Sequence, residues 1–158
     1  MPEATQTRAA ANGRQAAEPT LLYLLKQVEL AVRSHLDDLL RPAGLTALQY
    51  TALTVLERRP DLTSAQLARN SFVTAQTMAD MVTTLRERGL IERRRDPDDR
   101  RRLVLALTSP GRRLLGRYRG KVAALEADML TNLTNRQSVE LRKSLLACRS
   151  ALGNHPPH

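Results

Sequence analysis

The chain has 158 residues, enough for one compact domain and too few for several. Its 25 Lys and Arg against 16 Asp and Glu give a formal charge of +9, an excess that points to a polyanionic partner. Three scattered histidines, a single cysteine and no glycine-rich phosphate loop argue against a catalytic constellation and exclude an internal disulfide and a four-thiolate metal site; no enzyme activity, cofactor or metal is expected.

Met1 to Glu18 is rich in Ala, Gln, Thr and Arg and lacks the apolar core, about 7 to 15 residues long, of a secretory signal; residues 1–18 read as a flexible tail. No apolar run approaches the roughly 18 residues of a membrane span, so a soluble, cytoplasmic protein without membrane contact is expected. From Leu21 to Arg41, Leu21, Leu24, Leu25, Val28, Val32, Leu36 and Leu39 recur at helical spacing, and Pro42-Ala43-Gly44 ends the run. Thr46, Thr63 and Thr134 are each followed three residues later by Gln, at 49, 66 and 137. This capping-box spacing marks three helix starts independently of hydrophobicity. The second helix is therefore expected over about 46–58 and a short third over about 63–70.

Thr74 is the expected cap of a fourth helix, in which Met78, Met81, Val82 and Leu85 form one buried face and Gly89 lies just past the end. Its polar face presents Gln76, Thr77, Asp80 and Thr83. Two strands follow, at about 90–95 and 101–107, with Leu103, Leu105 and Leu107 alternating against Arg102, Val104 and Ala106. Between them Pro97 takes the second position of an Asp96-Pro97-Asp98-Asp99 turn, on a loop too polar to be buried. Thr108, Ser109 and Pro110 open a long helix to about Leu133, and a last helix runs from Thr134 to about Leu152, leaving 153–158 as a second tail.

The fourth helix and the turn after it carry the chemistry. Residues 93–102 hold six Arg and three Asp, and the acids at 96, 98 and 99 leave the triplets Arg93, Arg94, Arg95 and Arg100, Arg101, Arg102 positive on both flanks. Across the chain Arg outnumbers Lys 22 to 3, a balance that suits bidentate phosphate and guanine contacts and that a GC-rich genome would equally produce. A helix presenting Thr74, Gln76, Thr77, Asp80 and Thr83, followed at once by a basic hairpin, suits major-groove insertion with the hairpin on neighbouring phosphates or the minor groove of double-stranded DNA. Gln76 suits adenine and Asp80 suits cytosine N4. A second basic stretch, Arg112, Arg113, Arg117, Arg119 and Lys121, reads as a solvated helix face.

The end helices carry apolar stripes, on one side Leu21 to Leu39 and on the other Val139, Leu141, Leu145, Cys148 and Leu152, that the small unit between them cannot cover. A homodimer through these helices is the expected solution. Cys148 has only Arg149 beside it to activate a thiol and reads as a packing residue, as buried cysteines usually are, rather than an oxidant sensor.

The element order, the segment Leu85-Arg86-Glu87-Arg88-Gly89-Leu90-Ile91-Glu92-Arg93, and the pattern Asp99-x-Arg101 followed by Leu107-Thr108 and Gly111 resemble the MarR family of winged-helix transcription regulators. The resemblance spans about Leu21 to Leu152. It implies a mainly α fold: a winged helix-turn-helix over 46–108 with a two-stranded β wing, inside a single domain over 19–152 whose dimerisation helices cover 20–41 and 109–152. Asp99 would restrain the wing and Arg101 would reach the minor groove. The family's habits further imply a repressor released from a pseudo-palindromic operator by a small aromatic or phenolic effector, with His35 and Tyr50 as candidates for its pocket. A ligand-independent architectural DNA-binding protein is the competing reading.

Overall fold

A computed structural model describes residues 17–153. The expected tails, with His155 and His158, fall outside them apart from Ala17, Glu18 and Gly153. Among the described residues the order is α1 (Leu21–Leu40), a 3-10 turn (Arg41–Ala43), α2 (Ala47–Arg58), α3 (Ser64–Asn70), α4 (Ala75–Glu87), β1 (Ile91–Arg95), β2 (Leu103–Leu107), α5 (Ser109–Met129) and α6 (Asn135–Leu152). This is a mainly helical winged helix-turn-helix with long helices at both ends.

Local chemistry sets the helix starts. Thr46, Thr63 and Thr134 each accept from the amide three residues on, while Gln49, Gln66 and Gln137 accept from the cap amide, so all three boxes close in both directions. Thr20, Thr74 and Thr108 cap α1, α4 and α5 through their hydroxyls alone. Gly44 and Gly89 take φ of +67° and +71° just past the 3-10 turn and α4, the left-handed geometry glycine adopts without steric cost. Helix α5 stops at Met129, short of the expected Leu133, because the chain folds into turns whose amides at Leu130, Thr131 and Leu133 bond back three or four residues before Thr134 restarts a helix.

One core joins the elements. Leu40 of α1, Leu53 and Leu56 of α2, Leu67 of α3, Met78, Val82 and Leu85 of α4, Leu105 of β2 and Leu115 of α5 are almost completely buried together. Each such side chain contributes about 1.5–3 kcal/mol relative to exposure. The four apolar positions expected for α4 are the four it buries. Strand β2 departs from the expected alternation: Val104, Leu105, Ala106 and Leu107 are all buried. Helices α2 and α5 pack against this strand, β1 pairs antiparallel along one of its edges, from Ile91 opposite Leu107 to Arg95 opposite Leu103, and Leu62 bridges Leu105 along the other. The wing thus has a third, one-residue rung that the sequence did not announce, and β2 begins at Leu103 rather than 101.

Apolar side chains at the chain ends remain uncovered. Leu21, Leu22 and Leu152 are 79, 78 and 80% exposed, and Val28, Val139, Leu145 and Leu146 are about half exposed. Cys148 lies on this surface and is exposed among the described residues, correcting the expectation of a buried thiol. Within one chain the end helices leave these side chains uncovered.

Candidate nucleic-acid interface

Thr74, Gln76, Thr77, Asp80 and Thr83 are all exposed on α4, opposite its buried face. They are ordered differently. Thr74 bonds the amide and hydroxyl of Thr77, and Thr83 donates to the carbonyl of Ala79, so these hydroxyls already serve the helix. The Gln76 amide donates to the Asp80 carboxylate at 3.2 Å across one turn. That pair puts both polar groups on one exposed face, where either can exchange its partner for a base edge.

The six wing arginines divide into two groups. Arg94 donates through Nε and Nη2 to Asp61 at 2.9 and 2.6 Å, tying the hairpin to the loop between α2 and α3. Arg95 donates to the Arg100 carbonyl at 2.8 Å across the wing. Arg102 reaches Gln66 at 3.2 Å and approaches Asp96 at 3.8 Å. Arg93, Arg100 and Arg101 are exposed and, among the described residues, have no side-chain partner. Their charge is available to phosphate, whereas Arg94, Arg95 and Arg102 would first have to give up internal contacts. Sequence could not make this division, because Asp61 and Gln66 lie more than 30 residues from their partners.

Two expectations about the turn change. Asp96 is buried, against the reading of a wholly solvated loop, because its carboxylate accepts from the Asp98 amide at 2.9 Å and faces Arg102. The hydrogen-bonded turn is Asp99 to Arg102, closed by the Arg102 amide on the Asp99 carbonyl at 2.9 Å, and not Asp96 to Asp99. The Asp99 carboxylate accepts from the Arg101 amide at 3.0 Å and so locks the backbone from which Arg101 projects. That is the geometry of an acid that restrains the wing tip.

Gly111 explains why the wing is followed by glycine. A Cβ there would lie 2.2 Å from the Leu90 carbonyl oxygen, so only glycine lets α5 approach the exit of α4 this closely. Thr108 completes the joint, its amide donating to Leu90 and its hydroxyl to Gly89.

His35 and Tyr50 differ in their surroundings. His35 is exposed on α1, while Tyr50 is buried in α2, and burial raises its phenol pKa above the ordinary value despite the opposing pull of Arg119. A cleft of about 560 Å³ lies between the 3-10 turn and α5, lined by Pro42, Ala43, Arg117, Tyr118 and Lys121. Lys121 stands 5.3 Å from the Tyr118 ring centroid, and Arg119 pairs with Glu57 of α2. The second basic stretch is therefore more than a solvated face: it builds one wall of this cleft and a tie to α2. Its signal in the sequence was two cations, Arg117 and Lys121, spaced four apart with an aromatic between them.

The arrangement matches known proteins. The sequence profile of the MarR family fits residues 43–102. The transcriptional repressor Rv2887 of Mycobacterium tuberculosis is 35% identical over 130 residues, covering 82% of this chain and 94% of the relative. A structure of Rv2887 in complex with salicylic acid superposes with a TM-score of 0.69 at 33% identity, over 84% of this chain and 98% of that one. The repressor CouR bound to a 23-mer DNA duplex gives 0.69 at 32% identity, over 82 and 91%. The likeness in sequence and in fold covers nearly the whole of these relatives, and the chain belongs to the MarR family of winged-helix transcription regulators.

Proposed function

We propose that the chain represses transcription as a homodimer seated on a pseudo-palindromic operator and leaves it when an aromatic carboxylate enters the cleft between the 3-10 turn and α5. The observation that carries the DNA half is the exposed Gln76–Asp80 face of α4 beside three wing cations, Arg93, Arg100 and Arg101, that have no side-chain partner among the described residues. A two-fold dimer built through the uncovered faces of α1 and α6 presents two such units to successive major grooves, about 34–36 Å apart. The wing charges displace condensed cations from the backbone, and the α4 face reads base edges.

The effector half rests on the cleft's chemistry. Arg117 and Lys121 supply two cations and Tyr118 an aromatic face and hydroxyl, a set that suits a planar aromatic anion. Salicylic acid, the ligand of the Rv2887 complex, is of this class. No helix among the described residues is long and apolar enough to cross a membrane, in keeping with a regulator that works on DNA.

Gel shifts on duplexes tiling the intergenic DNA beside the gene, with and without salicylate, test both halves. The expected result is one preferred site bound by a dimer, with log K falling against log salt at a slope of about −5 to −9 for roughly 6 to 10 neutralised phosphates, and weaker binding in salicylate. Equal affinity for every duplex would leave the architectural reading. Salicylate that neither binds nor releases DNA would remove aromatic carboxylates as the effector class.

A further inference from the structure

Arg88 follows the last residue of α4, and its side chain leaves the DNA-binding unit. Nη1 donates to the Gly44 carbonyl at 2.9 Å and Nη2 to the Ala43 carbonyl at 2.5 Å. These carbonyls end the 3-10 turn whose Pro42 and Ala43 form the wall of the cleft facing Arg117, Tyr118 and Lys121. The helices on either side of the turn are tied separately, the Asp37 carboxylate of α1 accepting from the Ala47 amide at the start of α2 at 2.6 Å. A single side chain thus joins the backbone of the cleft wall to the end of the helix that meets DNA.

We infer that Arg88 is the positioning residue that couples the cleft to the recognition helix. The planar guanidinium holds two adjacent carbonyls with two donors, which fixes orientation as well as distance. A pull on one carbonyl therefore turns the end of α4 rather than only stretching a bond. Leverage does the rest: α4 has 13 residues and so spans about 20 Å, and a rotation of about 3° at Arg88 carries the Gln76 end through about 1 Å. Hydrogen bonds to base edges lose their alignment over such a distance. A residue that contacts neither DNA nor effector thereby sets how strongly each senses the other.

The inference deepens the reading of the cleft as effector site, and reciprocity allows a test that needs no effector. If cleft occupancy acts on DNA affinity through Arg88, DNA occupancy must act on the cleft by the same route. The chain has three lysines, Lys26, Lys121 and Lys143, and only Lys121 lines the cleft. With the lysines of the full-length dimer dimethylated with 13C and the signals assigned through Lys26→Arg and Lys143→Arg, the Lys121 resonance should shift when a saturating operator duplex is added. In Arg88→Ala, saturated at higher protein concentration, the shift should vanish; in Arg88→Lys, one compact head in place of a fork, it should fall to half or less. Thermal unfolding of each variant separates this from simple bracing, which would lower stability without altering the DNA-induced shift. An undiminished shift in Arg88→Ala, or no shift in the unsubstituted protein, overturns the inference. Should Arg88→Ala fail to fold, Arg88→Lys decides alone, and a full-sized shift there overturns it. Salicylate titrations of the same samples report independently on the effector class.

Discussion

Gly111→Ala should destabilise the protein, although the same exchange elsewhere in α5 should stabilise it. In an exposed helix interior Ala is favoured over Gly by about 1 kcal/mol. At Gly111 the new methyl would sit 2.2 Å from the Leu90 oxygen, 3.1 Å from the Leu90 carbonyl carbon and 3.4 Å from Leu107 Cδ2. The first distance is about 1 Å inside van der Waals separation, and the opposing atom is backbone already held by the Thr108 amide. Either α5 lifts away from the wing or the Leu90–Thr108 bond breaks. Overpacking of this kind costs about 1–3 kcal/mol and loss of the hydrogen bond about 1 kcal/mol more, so a net loss of about 1–3 kcal/mol remains after the propensity gain. Gly116 and Gly120 have no atom within 4 Å of a built Cβ, and Ala at either should raise stability by up to about 1 kcal/mol. Thermal and denaturant unfolding of the three variants at one protein concentration is the assay, since a dimer's midpoint moves with concentration. A loss of about 2 kcal/mol lowers Tm by about 4–8 °C in a chain of this size. If Gly111→Ala matched Gly116→Ala in sign, α5 would not approach Leu90 as described and the joint between wing and α5 would have to be redrawn.

Arg101→Ala should weaken binding to all duplexes and flatten the salt slope by about 1 for each phosphate it leaves unneutralised, because it removes charge without removing base recognition; Gln76→Ala should leave the slope unchanged and cost about 1–3 kcal/mol on the operator alone. Equal losses for Gln76→Ala on operator and scrambled duplexes would mean that this helix face positions without reading. Tyr50 offers a pH test. Its folded-state pKa lies above the unfolded value because burial disfavours the phenolate, so its contribution is fully present below the unfolded pKa of about 10 and is lost as pH rises from there through the folded value. Tyr50→Phe should accordingly flatten the alkaline limb of the stability profile above about pH 10, and an unchanged limb would show that other groups set it.

Much of this molecule is legible in the chain because its determinants are local. A threonine and a glutamine three residues apart close a capping box wherever they stand, and the 3.6-residue repeat of Met78, Met81, Val82 and Leu85 places α4's polar face without reference to any neighbour. Glycine past a helix end and six arginines around three aspartates likewise declare themselves in sequence. What the chain could not declare is who meets whom across a gap. Asp61 and Gln66 take Arg94 and Arg102 out of the pool of free wing charge, Leu62 bridges the second edge of β2, and α2 and α5 pack against that strand. Arg88 finds carbonyls 44 and 45 residues away, and a cleft forms where the 3-10 turn faces α5. Caps, turns and amphipathic faces are set by neighbours along a few bonds of backbone; charge partners, strand edges and cavities are set by which segments the core brings side by side, and that was decided only when the chain packed.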